Sequence, residues 1–126
     1  PVAAAIFDKL PIKGKKTVCL VSGGNIDVNI LSRVITRGQI TTGRKADLVI
    51  ALDDRPGQLR QVSEIVSSCG ANVVGVQHNR SDVNMPITGC YLKLELETRD
   101  QAQIEEIKTK LLAAGFNLLN NNAVHY

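Results

Sequence analysis

The sequence predicts an α+β fold: a ferredoxin-like β-α-β-β-α-β sandwich over residues 45–120, preceded by a helix-strand-helix segment at 1–44 and followed by a tail at 121–126. Three observations predict it. From Lys45 onward, hydrophobic spacing alternates between the two-residue period of a strand and the period of a helix, in that order of elements. Cys69-Gly70-Ala71-Asn72-Val73 and Ala114-Gly115-Phe116-Asn117-Leu118 repeat one pattern at the same point of the two β-α-β halves. The chain has 126 residues, of which 44% are hydrophobic and 21% charged, so it can bury one small core.

The first strand is read from Ala46, Leu48, Ile50 and Leu52, which alternate with Lys45, Asp47, Val49 and Ala51. Asp53-Asp54-Arg55-Pro56-Gly57 breaks it, with Asp54 as the expected helix cap and Pro56 in the first helical turn. Leu59, Val62, Ile65, Val66 and Cys69 then make one helical stripe, closed by Gly70 at a left-handed C-cap. A second strand is expected from Asn72 to Asn79, and a loop from Arg80 to Gly89. In the third strand Cys90, Leu92, Leu94 and Leu96 face the core, and Tyr91, Lys93, Glu95 and Glu97 face away. Thr98 or Asp100 caps the next helix, with Gln101 or Gln103 returning a capping-box bond. Its stripe is Ile104, Ile107, Leu111 and Ala114, Gly115 ends it, and Phe116 to Leu119 is the last strand. One sheet face then has no helical cover and the second strand lies at an edge, which favours pairing between subunits.

Residues 1–44 differ in character. Val2 to Leu10 is expected to be a helical turn or two, and Thr17 to Val21 a strand buried on both faces, since it is an unbroken apolar run. A helix with Ile26, Ile30, Leu31, Val34 and Ile35 follows Ser22-Gly23-Gly24-Asn25 and ends at Gly38. A parallel strand needs neighbours that 1–44 does not contain, so the segment is read as the last strand and helix of a larger α/β domain in preference to a small helical appendage.

Charge and composition exclude several classes. The net charge of +3 divides into +6 for residues 1–45 and −3 for 46–126. Lys13, Lys15 and Lys16 make one tight basic cluster and four aromatic side chains are available for stacking, which argues against nucleic acid. No apolar run reaches the length of a membrane span. Pro1 to Leu10 has no signal-peptide pattern, and Cys19, Cys69 and Cys90 are odd in number and far apart. A cytoplasmic protein with reduced, buried thiols and neither disulfide nor zinc site is expected. Cys90 with His78 could be a nucleophile and base, but the strand pattern puts Cys90 among the core leucines as a buried thiol, and His78 and His125 are too few and too isolated for a metal site.

Gly14 to Asp27, with the turn Ser22-Gly23-Gly24-Asn25, resembles the final strand-loop of the threonine/serine dehydratases, pyridoxal-phosphate enzymes of the tryptophan-synthase-β type. Asp54-Arg55-Pro56-Gly57-Gln58-Leu59 followed by Gly70-Ala71-Asn72-Val73 is similar to an ACT domain, the amino-acid-sensing module that some of these enzymes carry at the C-terminus. The two motifs follow each other in the order and at the separation of that family. The resemblance implies that Ser22 hydrogen-bonds the pyridine nitrogen of pyridoxal phosphate, with Gly23, Gly24 and Asn25 shaping the turn beside the ring. A neutral hydroxyl there suits β-elimination over transamination. The family's Schiff-base lysine, phosphate loop and substrate-carboxylate loop have no counterpart here: lysines 9, 13, 15, 16, 45, 93, 108 and 110 all stand outside any matching motif. The chain is therefore expected to hold the cofactor only weakly and not to catalyse elimination, while its parent converts threonine to 2-oxobutanoate and ammonia.

The resemblance further implies an effector site at Asp54, Arg55, Pro56, Gly57, Gln58 and Leu59, where free amides at a helix start receive an amino acid's carboxylate. Asn72 and Val73 would reach the same effector from a partner subunit. Asp54 stands where the family commonly has asparagine; a carboxylate can bind the effector's ammonium and would repel its carboxylate. A homodimer or higher homo-oligomer with isoleucine or valine as effector is expected. The alternatives are an oligomerisation module without a ligand and, more weakly, nucleotide sensing at Gly23-Gly24.

Overall fold

The computed structural model describes residues 1–80 and 88–119. Residue 120, the whole expected tail at 121–126 with His125, and most of the expected 80–89 loop lie outside the described residues. The chain divides into two compact units, residues 1–31 and 32–126.

The first unit contains α1 (Val2–Ile6) and the start of α2 (Val28–Thr41). None of residues 1–42 is buried. The expected strand at Thr17 to Val21 is irregular chain, and Val18 is 93% exposed. The physical reason is the ladder: a single apolar run has no neighbour to take its backbone hydrogen bonds, so it gains nothing by extending. Two further corrections concern α2. Ile26 precedes the helix, because Asp27 caps it through Oδ1, which accepts from the Asn29 (2.8 Å) and Ile30 (3.3 Å) amides. Gly38 does not end it either. The helix runs on to Thr41, and Gly43, in the left-handed conformation at φ 68°, turns the chain.

The second unit builds the sheet. β1 (Lys45–Asp53), α3 (Gln58–Ser68), β2 (Asn72–Asn79), β3 (Gly89–Glu97), α4 (Gln101–Ala113) and β4 (Asn117–Leu119) follow in sequence. The strands form an antiparallel sheet in the order β2-β3-β1-β4, the ferredoxin-like arrangement expected, with β2 at one edge. Leu48, Ile50 and Leu52 of β1 and Cys90, Leu92, Leu94 and Leu96 of β3 pack against Val62 and Val66 of α3 and Ile107 and Leu111 of α4. Each fully buried side chain of this size contributes roughly 1.5–3 kcal/mol. The face away from the helices is less bare than alternation implies, since Val49 and Tyr91 are also buried. Around them Lys93 faces Asp47 (3.7 Å) and Lys45 faces Glu95 (3.8 Å).

The internal repeat is a repeated helix ending. Gly70 (φ 75°) and Gly115 (φ 85°) both turn left-handed, and their amides bond to Ser67 and Leu112 carbonyls. At the other end of α4, Asp100 Oδ1 accepts from the Gln103 amide (2.9 Å), as expected of a cap. Gln103 returns its bond one residue earlier than a capping box would, accepting from the Arg99 amide (2.7 Å). Its Nε2 donates to the Cys69 carbonyl (2.6 Å), so this buried glutamine ties the start of α4 to the end of α3.

Candidate functional site

The site lies where β1 hands over to α3. Asp53 ends the strand, and the Asp54 amide donates to the Thr88 carbonyl (2.9 Å), fastening the turn to the start of β3. Asp54 does not cap α3 and Pro56 is not in its first turn. The helix begins at Gln58, and its N-cap is Gly57, held left-handed at φ 91° and ψ −13°. That conformation, which glycine adopts at little cost, aims the turn so that the helix starts late. The cap residue has no side chain, and no acidic residue occupies the first turn of α3. Helix geometry leaves the Gln58, Leu59 and Arg60 amides without intrahelical acceptors, and the Gln61 amide takes the Gly57 carbonyl at 3.1 Å.

Gln58 and Leu59 border a cleft of about 470 Å³, lined by Asp54 to Leu59 on one side and by His78, Arg80, Cys90 and Leu92 on the other. All six residues expected from the effector motif therefore meet at one site. Asp54 Oδ1 faces Arg80 Nη2 at 3.1 Å and Asp53 faces Arg55 at 3.8 Å, so the acidic turn is matched by guanidinium charge. Cys90 is buried, its Sγ directed at the Leu52 carbonyl (3.6 Å). Burial first, and then the Asp54 carboxylate, push its thiol above the usual range. A second cleft of about 510 Å³ flanks the same helix start, but Asp53 is the one ionisable residue in its lining.

Asn72 and Val73 are elsewhere. Asn72 pairs with Glu97, and Asp53 with Gly89, so the two lie at opposite ends of β3, roughly 25 Å apart along the strand. Asn72 Nδ2 donates to Glu97 (3.3 Å), and Val73 packs against the core. Within one chain they do not join the cleft. Ser22, Gly23, Gly24 and Asn25 are exposed in the first unit. A planar ring needs walls on both faces, and four residues on one exposed turn do not by themselves fit pyridoxal phosphate.

His78 and Arg80 are the site residues that sequence reasoning passed over. The signal was a glycine inside a strand. A bulge between Val73 and Gly75 adds one residue to β2, so Val73 and Val76 both face the helix layer, opposite Leu96 and Leu94. Strict alternation from Val73 turns His78 to the far face; the bulge places it opposite Leu92, on the face of Cys90.

No family model matches the chain. It is 45% identical over 115 residues to an L-threonine ammonia-lyase of Thermotoga maritima, a match covering 91% of this chain and 29% of that enzyme. A second L-threonine ammonia-lyase, from Geobacter sulfurreducens, is 36% identical over 116 residues, covering 92% and 29%. A biosynthetic L-threonine dehydratase of Lactococcus lactis is 42% identical over 66 residues, 52% of this chain and 16% of that one. The chain thus spans less than a third of the length of the curated relatives it matches, and the matched stretch is their C-terminal part.

Proposed function

Because the chain belongs to the threonine ammonia-lyase (threonine dehydratase) family and matches its C-terminal fragment, we propose that residues 45–119 are an ACT-type amino-acid sensor controlling such an enzyme. The whole enzyme, in this proposal, uses pyridoxal phosphate to convert L-threonine to 2-oxobutanoate and ammonia. Ser22 to Asn25 would complete its cofactor site only where other parts of the enzyme supply the walls.

The observation that carries the proposal is the bare first turn of α3. Its amides and the positive end of the helix dipole stand open to a cleft, with no side-chain cap to occupy them. An α-amino acid needs hydrogen-bond donors for its carboxylate and an anionic partner for its ammonium. The Gln58 and Leu59 amides offer the first and Asp54 the second, its charge held in check by Arg80. Leu59, 44% exposed, provides apolar surface for a branched side chain such as that of isoleucine or valine.

The placement of Asn72 and Val73 supports an effector shared between subunits. They lie on the edge strand, at the end remote from their own cleft. A second β2 laid antiparallel beside the first would bring its Asn72 toward the Arg80 end. The half-exposed edge residues Val74 and Val76 also favour a second reading, an oligomerisation module without ligand. Amide chemical-shift mapping separates the two. Added isoleucine or valine should move the Gln58–Arg60 and His78–Arg80 amides saturably. A dimer by sedimentation whose amides do not respond to any amino acid would sustain the second reading instead.

A further inference from the structure

Asp54, His78 and Cys90 come from three different elements: the turn after β1, the end of β2 and the start of β3. Among the described residues they form the group that can present a carboxylate oxygen, an imidazole nitrogen and a thiolate sulfur to one point, with all three ligand atoms within 4.8 Å of one another. We propose that this triad binds a zinc ion, with its fourth coordination position open to the cleft.

The chemistry of the donor set selects the metal. Thiolate with imidazole favours a borderline-soft ion, and a set lacking a second carboxylate or carbonyl does not suit calcium or magnesium. Tetrahedral zinc holds its ligands at about 2.0–2.3 Å, which sets neighbouring donors about 3.5 Å apart. Closing from 4.8 Å needs a shift of about 1 Å, available to Asp54 and His78 because both are exposed. Cys90 is the fixed member, buried at the start of the interior strand β3. Arg80 faces Oδ1 of Asp54, and a carboxylate has a second oxygen to offer a metal. An outer charge partner of that kind orients a ligating carboxylate. Three protein ligands and one open position is the arrangement of a zinc ion that also takes an exogenous ligand. The bulge in β2 is what makes the triad possible, since it turns His78 to the face of Cys90.

The test is titration of the reduced 126-residue chain with Co²⁺, which reports thiolate ligation as a near-ultraviolet charge-transfer band, followed by displacement with Zn²⁺. One equivalent should develop the band. His78→Ala and Asp54→Asn, at exposed side chains that leave the core intact, should each weaken Zn²⁺ binding at least tenfold. Cys19→Ser should leave the band unchanged. A titration without a thiolate band overturns the proposal. So does a band lost in Cys19→Ser, or Zn²⁺ affinity unaltered by both His78→Ala and Asp54→Asn.

Discussion

Two residues show how much of this molecule rests on single backbone decisions. Gln103 is buried and satisfies two otherwise orphaned backbone groups, the Arg99 amide and the Cys69 carbonyl. Gln103→Ala should cost about 1–3 kcal/mol, because the Cys69 carbonyl stays buried without its bond. A urea unfolding midpoint that does not move would contradict this. Gly57 is the second. At φ 91° a side chain there is strained by about 1–2 kcal/mol, although a Cβ would meet no atom within 4 Å. Gly57→Val should therefore leave the domain folded while distorting the amide cradle and abolishing effector binding. Retained binding in a folded variant would misplace the site. Sequence reasoning found Gly57 and the motif around it but put the cap at Asp54. Asp54 is a residue type that caps well, and nothing in the sequence reveals that its carboxylate is engaged by Arg80, just past the end of β2.

At the scale of elements, alternation and helical stripes were enough to find all four strands and both sheet-packing helices, because each element has one face committed to the core. Boundaries that depend on neighbours were not legible. The run Thr17 to Val21 has strand composition but no partner strand. The bulge in β2 could be inferred only from Gly75, and it decides which face His78 occupies. The join between α2 and β1 is another such case. Thr98 bonds to Gly43 and Arg44, its Oγ1 donating to the Gly43 carbonyl (2.6 Å) and its amide to that of Arg44 (3.1 Å). A Cβ on Gly43 would press on Asp100 and Gln101 backbone at 2.8 Å, and its φ is left-handed. Gly43→Ala should destabilise the domain by about 1–3 kcal/mol, with a lowered thermal midpoint as the readout. An unchanged midpoint would show that the α4 start yields freely.

For the whole molecule, burial is confined to residues from Gly43 onward. Hydrogen exchange should accordingly be fast through residues 1–27 and slowest at Leu48 to Leu52 and Leu92 to Leu96, where the strands are central and the side chains packed. Protection at Thr17 to Val21 matching that of β3 would contradict the absence of a strand there. The two units also divide the chemistry. The first carries the exposed Ser22 to Asn25 turn, and the second carries the cleft, where the α3 amides and the Asp54, His78 and Cys90 side chains converge.

Calorimetric titration with isoleucine, valine, threonine and serine tests the central claim, amino-acid sensing at the start of α3, most directly. Sensing at this site should give selective, saturable heat with isoleucine or valine, at one site per subunit and absent in Gly57→Val. No heat with any of the four, from the folded chain and from the full-length enzyme alike, would contradict it.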